Sequence, residues 1–396
     1  MNTQEKGILL LVKSALNGKK YNLPDGFDFS EAYQTAKSHQ ILPLIYYGAM
    51  NCKLNSNADE IHQFFLGTCV AISYNENQLF EENQLFDAFD NNNIDYMPLK
   101  GAIIKHFYPK PEMRIMSDLD ILIRTEQYER IIPIMESLVY SFKGETEHEL
   151  AWKKNNIKVE LHKCLVSKRN QDICGFFDNI WDNAKCKSGN QYEMSNEDFY
   201  IYLFIHFVKH YRAGGIGIKH MTDLWVCKNA LAVDETYIDK KIKALGLKEF
   251  YLNINYTLSV WFGSSDSNSL TEYITDVIFN SGAYGKINDI AVAQMARRSQ
   301  KNGNIKNARI SDIIYLIFPK YGDMCYKYPA LKKKAFLLPF FWFLRWMKAI
   351  FIKRKNIVIN INSRNNISDK NIHTYEESLK YVGLSFKLNE NRDMRD

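Results

Sequence analysis

The chain has 396 residues, of which 46% are hydrophobic and 24% charged, with a net charge of +6 at neutral pH. Those fractions belong to a globular protein with room for two or three domains and exclude a disordered chain. The mild basic excess suits an anionic ligand or surface and is too small to argue for nucleic acid.

Seven cysteines lie scattered without a C-x-x-C pair. An odd, dispersed set reads as reduced thiols of a cytosolic protein rather than a disulfide framework or a zinc site. The opening MNTQEKGILLLVKSALNG has too short an apolar run for a signal peptide, and no apolar stretch is long enough to span a bilayer.

Residues 1–93 read as a helical region. EKGILLLVKSAL, FSEAYQTAKSHQILPLIYYGAM and ADEIHQFFLGTCVAISYNENQLFEENQLFDAF all carry apolar residues at helical spacing, with Pro43 as a kink or break. The doubled ENQLF has an offset matching no heptad or solenoid, so it is a coincidence within one helix. Asp90 to Asn93 ends that helix.

Residues 94–190 change texture. IDYMPL, DLDILI and NNIKVELHK are short apolar runs bounded by polar turns and read as strands, and EQYERIIPIMESLVY reads as a crossover helix. The expectation is an α+β protein with a small mixed-sheet core flanked by helical domains. Helical pattern returns over 191–330, where Ser195 and Asp198 form a capping-box-like start and Gly214 to Gly217 make a turn between helices.

Leu331 to Lys355 is an apolar run broken by Pro339, Arg345 and Lys348, with basic flanks and no acidic residue. It suits a helix lying on an anionic membrane surface at the inner face of a cell; a helix packed on the second helical domain is the simpler reading. Residues 356–396 form a polar tail in which TYEESLKYVGLSF alone can dock as a helix.

The chemistry concentrates in PLKGAIIKHFYPKPEMRIMSDLDILIR. On a strand, i and i+2 share a face, so Asp118 and Asp120 project together about 7 Å apart, and Leu119, Ile121 and Ile123 face a core. Such carboxylates repel unless a proton or cation lies between them, and Mg²⁺ favours one or two carboxylates plus phosphate oxygens. D-x-D alone is a weak signal, expected about once by chance in a chain of this length. Three neighbours strengthen it. Alternation in NNIKVELHK puts Lys158, Glu160 and His162 on one face, offering Glu160 as a third carboxylate. Lys100 and Gly101 end the preceding strand with a point charge and room for phosphate. Arg114 and Ser117 lie just before the aspartates.

L-K-G, then R-x-M-S-D-L-D-I-L-I, then V-E-L-H resemble the nucleotidyltransferase superfamily, in particular a bacterial nucleotidyltransferase family found in surface-polysaccharide and biosynthetic loci. HQILPLIYYGAM and EDFYIYLFIHFVKHYRAGGIGIKHMTDLW resemble that family's flanking helices, so the likeness covers most of residues 30–350. The usual Gly-Ser pair appears here as Lys100-Gly101 with a longer spacer, closer to toxin-type members. The resemblance implies that Asp118, Asp120 and Glu160 hold Mg²⁺ or Mn²⁺ and act on a nucleoside triphosphate, ATP among the candidates. It implies that Lys100 and Arg114 offset phosphate charge, with Ser117 and Gly101 in lesser roles. Lys219 and Asp223, one helical turn apart, are either a surface pair or, by the same likeness, part of the nucleotide pocket. His206 and His210 have a zinc-like spacing without a third ligand, so a structural or acceptor-binding role is preferred. Two rival readings are a D-x-D glycosyltransferase, which leaves Glu160 without a role, and a degenerate nucleotide-binding relative.

Overall fold

The computed structural model describes residues 1–54, 58–167, 173–302, 304–351 and 367–385. The chain opens with helices α1 (Thr3–Asn17), α2 (Phe29–Ser38), α3 (Leu42–Asn51) and α4 (Ala58–Asn91). Asn2 and Glu5 close a capping box on α1, and Asp28 caps α2 by accepting from Ser30 and Glu31. Pro43 breaks the helical run: it sits in the first turn of α3, where a missing N–H costs nothing. α3 crosses α1 closely at Gly48, where a Cβ would lie 2.0 Å from the Leu11 carbonyl oxygen. The doubled ENQLF lies within α4.

A sheet follows: β1 (Tyr96–Pro98), the short α5 (Gly101–Ile104), β2 (Leu119–Ile123), α6 (Tyr128–Ser137), β3 (Ser141–Glu145), β4 (Glu149–Lys154), β5 (Ile157–His162), the short α7 (Ile180–Asn183), β6 (Lys185–Ser188) and β7 (Gln191–Glu193). The spatial order is β3-β4-β5-β2-β1-β7-β6. β2 is central, antiparallel to β1 and parallel to β5. It is buried on both faces, which explains its unbroken apolar composition. Leu119, Ile121 and Ile123 pack with Val159 and Leu161 against Leu85 and Phe89 of α4 and Ile131 and Met135 of α6. Leu122, on the opposite face, joins the larger helical core.

The strands read as IDYMPL, DLDILI and NNIKVELHK are β1, β2 and β5. The β3–β4 and β6–β7 hairpins escape the hydrophobic pattern: SFKGE and KCKS are largely exposed edge strands carrying Lys, Gly and Ser, a composition that protects edges from pairing with other chains.

The remaining helices are α8 (Asn196–Tyr211), α9 (Ile218–Ala230), α10 (Glu235–Ala244), α11 (Lys248–Phe262), α12 (Ser269–Ser281), α13 (Ile287–Asn302), α14 (Ile305–Ile317), α15 (Tyr321–Lys327), α16 (Leu338–Phe351) and α17 (Asp369–Tyr381). Ser195 caps α8 through the Asp198 amide. α1–α3, α8–α12 and the end of α17 share one continuous core. α15 lies against the β3 edge. The described part of the polar tail is docked: Leu379, Val382 and Leu384 are buried, and Asn253 donates to the Val382 carbonyl at 3.1 Å. Residues 352–366 and 386–396, including the end of the basic segment, lie outside the described residues. None of the six cysteines with described side chains forms a disulfide.

Candidate active site

Pairing of β2 with β5 sets Asp120 directly opposite Glu160 and Leu122 opposite His162. The donor atoms of Asp120, Glu160 and His162 lie within 4.8 Å of one another. Asp120 accepts from Lys100 Nζ at 2.8 Å and is 2.7 Å from His162 Nε2. Asp118, just before β2, lies 3.6 Å from Lys158 Nζ, and the same ammonium donates to Glu160. His162 is thus at the centre of the cluster. Alternation placed it on the face of Glu160, but the D-x-D pattern drew attention to oxygen ligands alone.

Lys100 holds its position at a conformational cost. Its φ of 41° lies in the left-handed region that favours glycine, a strain of about 1–3 kcal/mol that surrounding structure must hold. Next to it, Gly101 is required by space: a Cβ would sit 2.5 Å from Met116 Sδ and 3.3 Å from Arg114 Nη1.

The carboxylates divide electrostatically. Burial pushes Asp120 up, but Lys100 and His162 outweigh it and hold its pKa below the usual carboxylate range. Burial and the neighbouring acids push Asp118 and Glu160 upward. Two carboxyls held reluctantly charged beside a third, with an imidazole in reach, are a donor set that fits a divalent cation.

These groups form one wall of a cavity of about 300 Å³. The opposite wall comes from α8 and α9, with Tyr202, His206, Lys209, His210 and His220. His206 and His210 Nε2 atoms are 3.2 Å apart, and the His220 ring lies 6.2 and 6.0 Å from theirs. Burial, then nearby ammonium groups, lower all three, His210 to about 3, so they are neutral imidazoles at physiological pH. Neutral imidazoles offer both a donor and an acceptor to a polar molecule. His148, just before β4, and Glu149 at its start also line the cavity; neither was foreseen, because β4 itself was not.

Ser117 lines the cavity, its hydroxyl 3.1 Å from that of Tyr284. Arg114 also reaches the cavity, but its guanidinium forks onto Asp223 at 3.1 and 2.9 Å. The surface-pair reading of Lys219 and Asp223 is corrected: they are 1% and 0% exposed. Neither lines the cavity. Asp223 anchors Arg114 and accepts from Tyr108 at 2.8 Å, and Lys219 donates to Gln40 and, at 3.2 Å, to Tyr284. The helical spacing was right, and packing of the β1–β2 connection over α9 decided their burial.

A mixed sheet presenting three carboxylates and a lysine to a cavity can hold a divalent cation beside a phosphate group. The sequence profile of a family described as uncharacterised nucleotidyltransferases matches residues 25–263, more than half of the chain. The protein belongs to that family. Among solved structures, the antibiotic-resistance factor ANT(2'')-Ia is similar at 12% identity, over 46% of this chain and 96% of its own, with a TM-score of 0.32. No curated protein matches.

Proposed function

We propose that the protein moves a nucleoside monophosphate from a nucleoside triphosphate to a hydroxyl acceptor, releasing pyrophosphate. The observation that carries this reading is the Asp120–Glu160 register, which sets two carboxylates, His162 and Lys100 at one point of the cavity. A glycosyltransferase using Asp118 and Asp120 gives that opposed Glu160 no role.

Asp120 and Glu160, with Asp118 or His162 completing the set, would hold a divalent cation. Carboxylate oxygens suit Mg²⁺, and an imidazole ligand shifts the balance toward Mn²⁺. When bound, the cation supplies charge neutralisation for the triphosphate. The acceptor oxygen forms a bond to the α-phosphorus as the bond to the bridging oxygen of the β-phosphate breaks. The hydroxyl proton passes to the Glu160 carboxylate. Lys100 and Lys209 offset charge on the phosphates, and the strained Lys100 backbone fixes its ammonium before substrate arrives. The neutral histidines of α8 and α9 face the acceptor.

The test is transfer of label from α-³²P nucleoside triphosphates, with γ-labelled controls and Mg²⁺ or Mn²⁺, into cell extract or the protein itself. Wild type should transfer α-label only, and Asp120→Asn should lower the rate about a thousandfold or more while circular dichroism stays unchanged. Transfer of γ-label, or equal transfer by the variant, would refute the proposal. Absence of α-label transfer together with metal-dependent binding of a nucleotide sugar would replace it with the glycosyltransferase reading.

A further inference from the structure

α14 shows solvent a continuous apolar stripe. Ile310, Ile313, Ile314 and Ile317 recur at i, i+3, i+4 and i+7, and they are 57%, 57%, 55% and 42% exposed. α16 and the turn before it show a second: Phe336, Phe340, Phe343 and Met347, 78%, 53%, 53% and 37% exposed. The stripes meet where Phe318 packs edge-on to Trp342 and Trp346 at 5.1 and 5.4 Å, and Arg345 and Trp346 donate to the Leu316 and Ile317 carbonyls. The inner side of α16 is already occupied, since Phe341 and Trp342 pack toward Met324, Cys325 and Leu331. A helix apolar on both sides, with one side left in water, is built for a further apolar contact.

The charge pattern says what that contact is. From Met324 to Ser368 there are ten lysines and arginines and no aspartate or glutamate. That excess is larger than the whole chain's +6, so the rest of the protein is net negative. Lys333, Lys334 and Lys348 are exposed beside the stripes. Protein–protein interfaces are depleted in lysine, whereas an anionic bilayer attracts lysines flanking an aromatic and aliphatic face. Among the described residues no helix is long and apolar enough to cross a membrane.

We infer that α14 and α16 form a peripheral docking surface for an anionic lipid bilayer, with the apolar stripes entering the headgroup boundary and the lysines engaging lipid phosphates. α15, between them in the chain, lies against β3 of the catalytic sheet, so the surface is carried by the same body as the site. This inference stands apart from the transferase reading and would survive its failure.

The experiment is sedimentation of the full-length protein with vesicles of phosphatidylcholine alone or mixed with phosphatidylglycerol. Binding should be confined to the anionic vesicles and weaken with added salt. Lys333→Gln/Lys334→Gln/Lys348→Gln should weaken it about a hundredfold. Phe336→Ser/Phe340→Ser/Phe343→Ser, at exposed positions, should abolish it with an unchanged thermal melt. Failure to bind anionic vesicles, or equal binding to both vesicle types, overturns the inference. A dimer that the phenylalanine variant converts to monomer, without vesicle binding, would assign the surface to a second copy instead.

Discussion

Lys219 is a buried ammonium whose proton is loosely held. Burial, followed by Arg114, lowers its pKa from 10.5 to about 7, against the opposing pull of Asp223 and Asp118. The unfolded chain therefore binds one more proton than the native state between pH 7 and the ordinary lysine range. The resulting penalty is fully present below pH 7 and is relieved as pH rises through that window. Between pH 6 and 9 the unfolding free energy of wild type should rise by about 3 kcal/mol more than that of Lys219→Met, measured by denaturant titration. Parallel pH profiles for the two proteins would show that Lys219 keeps its charge when folded. At this scale the strand residues were legible and the helix residues were not. Period-2 alternation put Asp118 with Asp120 and Glu160 with His162 whatever the tertiary fold. The spacing of Lys219 and Asp223 gave their common side without saying whether that side meets water.

The Arg114–Asp223 fork belongs to the scale of elements, because it pins the connection between β1 and β2 to α9. With side chains only 9% and 0% exposed, it is a buried pair, and removing one partner leaves an uncompensated charge. Asp223→Ala should cost about 3–5 kcal/mol in chemical denaturation, and Arg114→Met/Asp223→Leu should cost less than the single change. A double variant weaker than Asp223→Ala would show that the pair contributes more than charge compensation. Lys105 and Glu82, 2.7 Å apart and buried, make a comparable tie between the end of α5 and α4. Elements with strong periodicity were readable: α4 and the capped α8 from their apolar spacing, β2 from its dense apolar run. The edge strands β3 and β6 were not, because they are largely exposed and so lose the alternation that marks a half-buried strand.

Across the whole molecule, helices from both ends of the chain close the larger helical core. Leu379 and Val382 reach the core that holds Leu11, Ile45 and Phe204. Leu379→Ala should lower stability by about 2–5 kcal/mol, with the thermal transition remaining single in calorimetry. Two resolved transitions would mean that the terminal helices and the sheet melt independently despite the shared core.

The sequence by itself determined the alternating strands, the carboxylates they carry and the lysine-glycine turn beside them, because backbone geometry makes i and i+2 neighbours in any strand. It also determined the basic apolar segment, since charge and hydropathy are properties of the chain before it folds. Only the tertiary structure decided that His162 stands among the carboxylates, that α8 and α9 face them with neutral histidines, and that Lys219 and Asp223 are sealed from water. Burial and charge state depend on what distant segments bring to a side chain, and local periodicity carries no record of that.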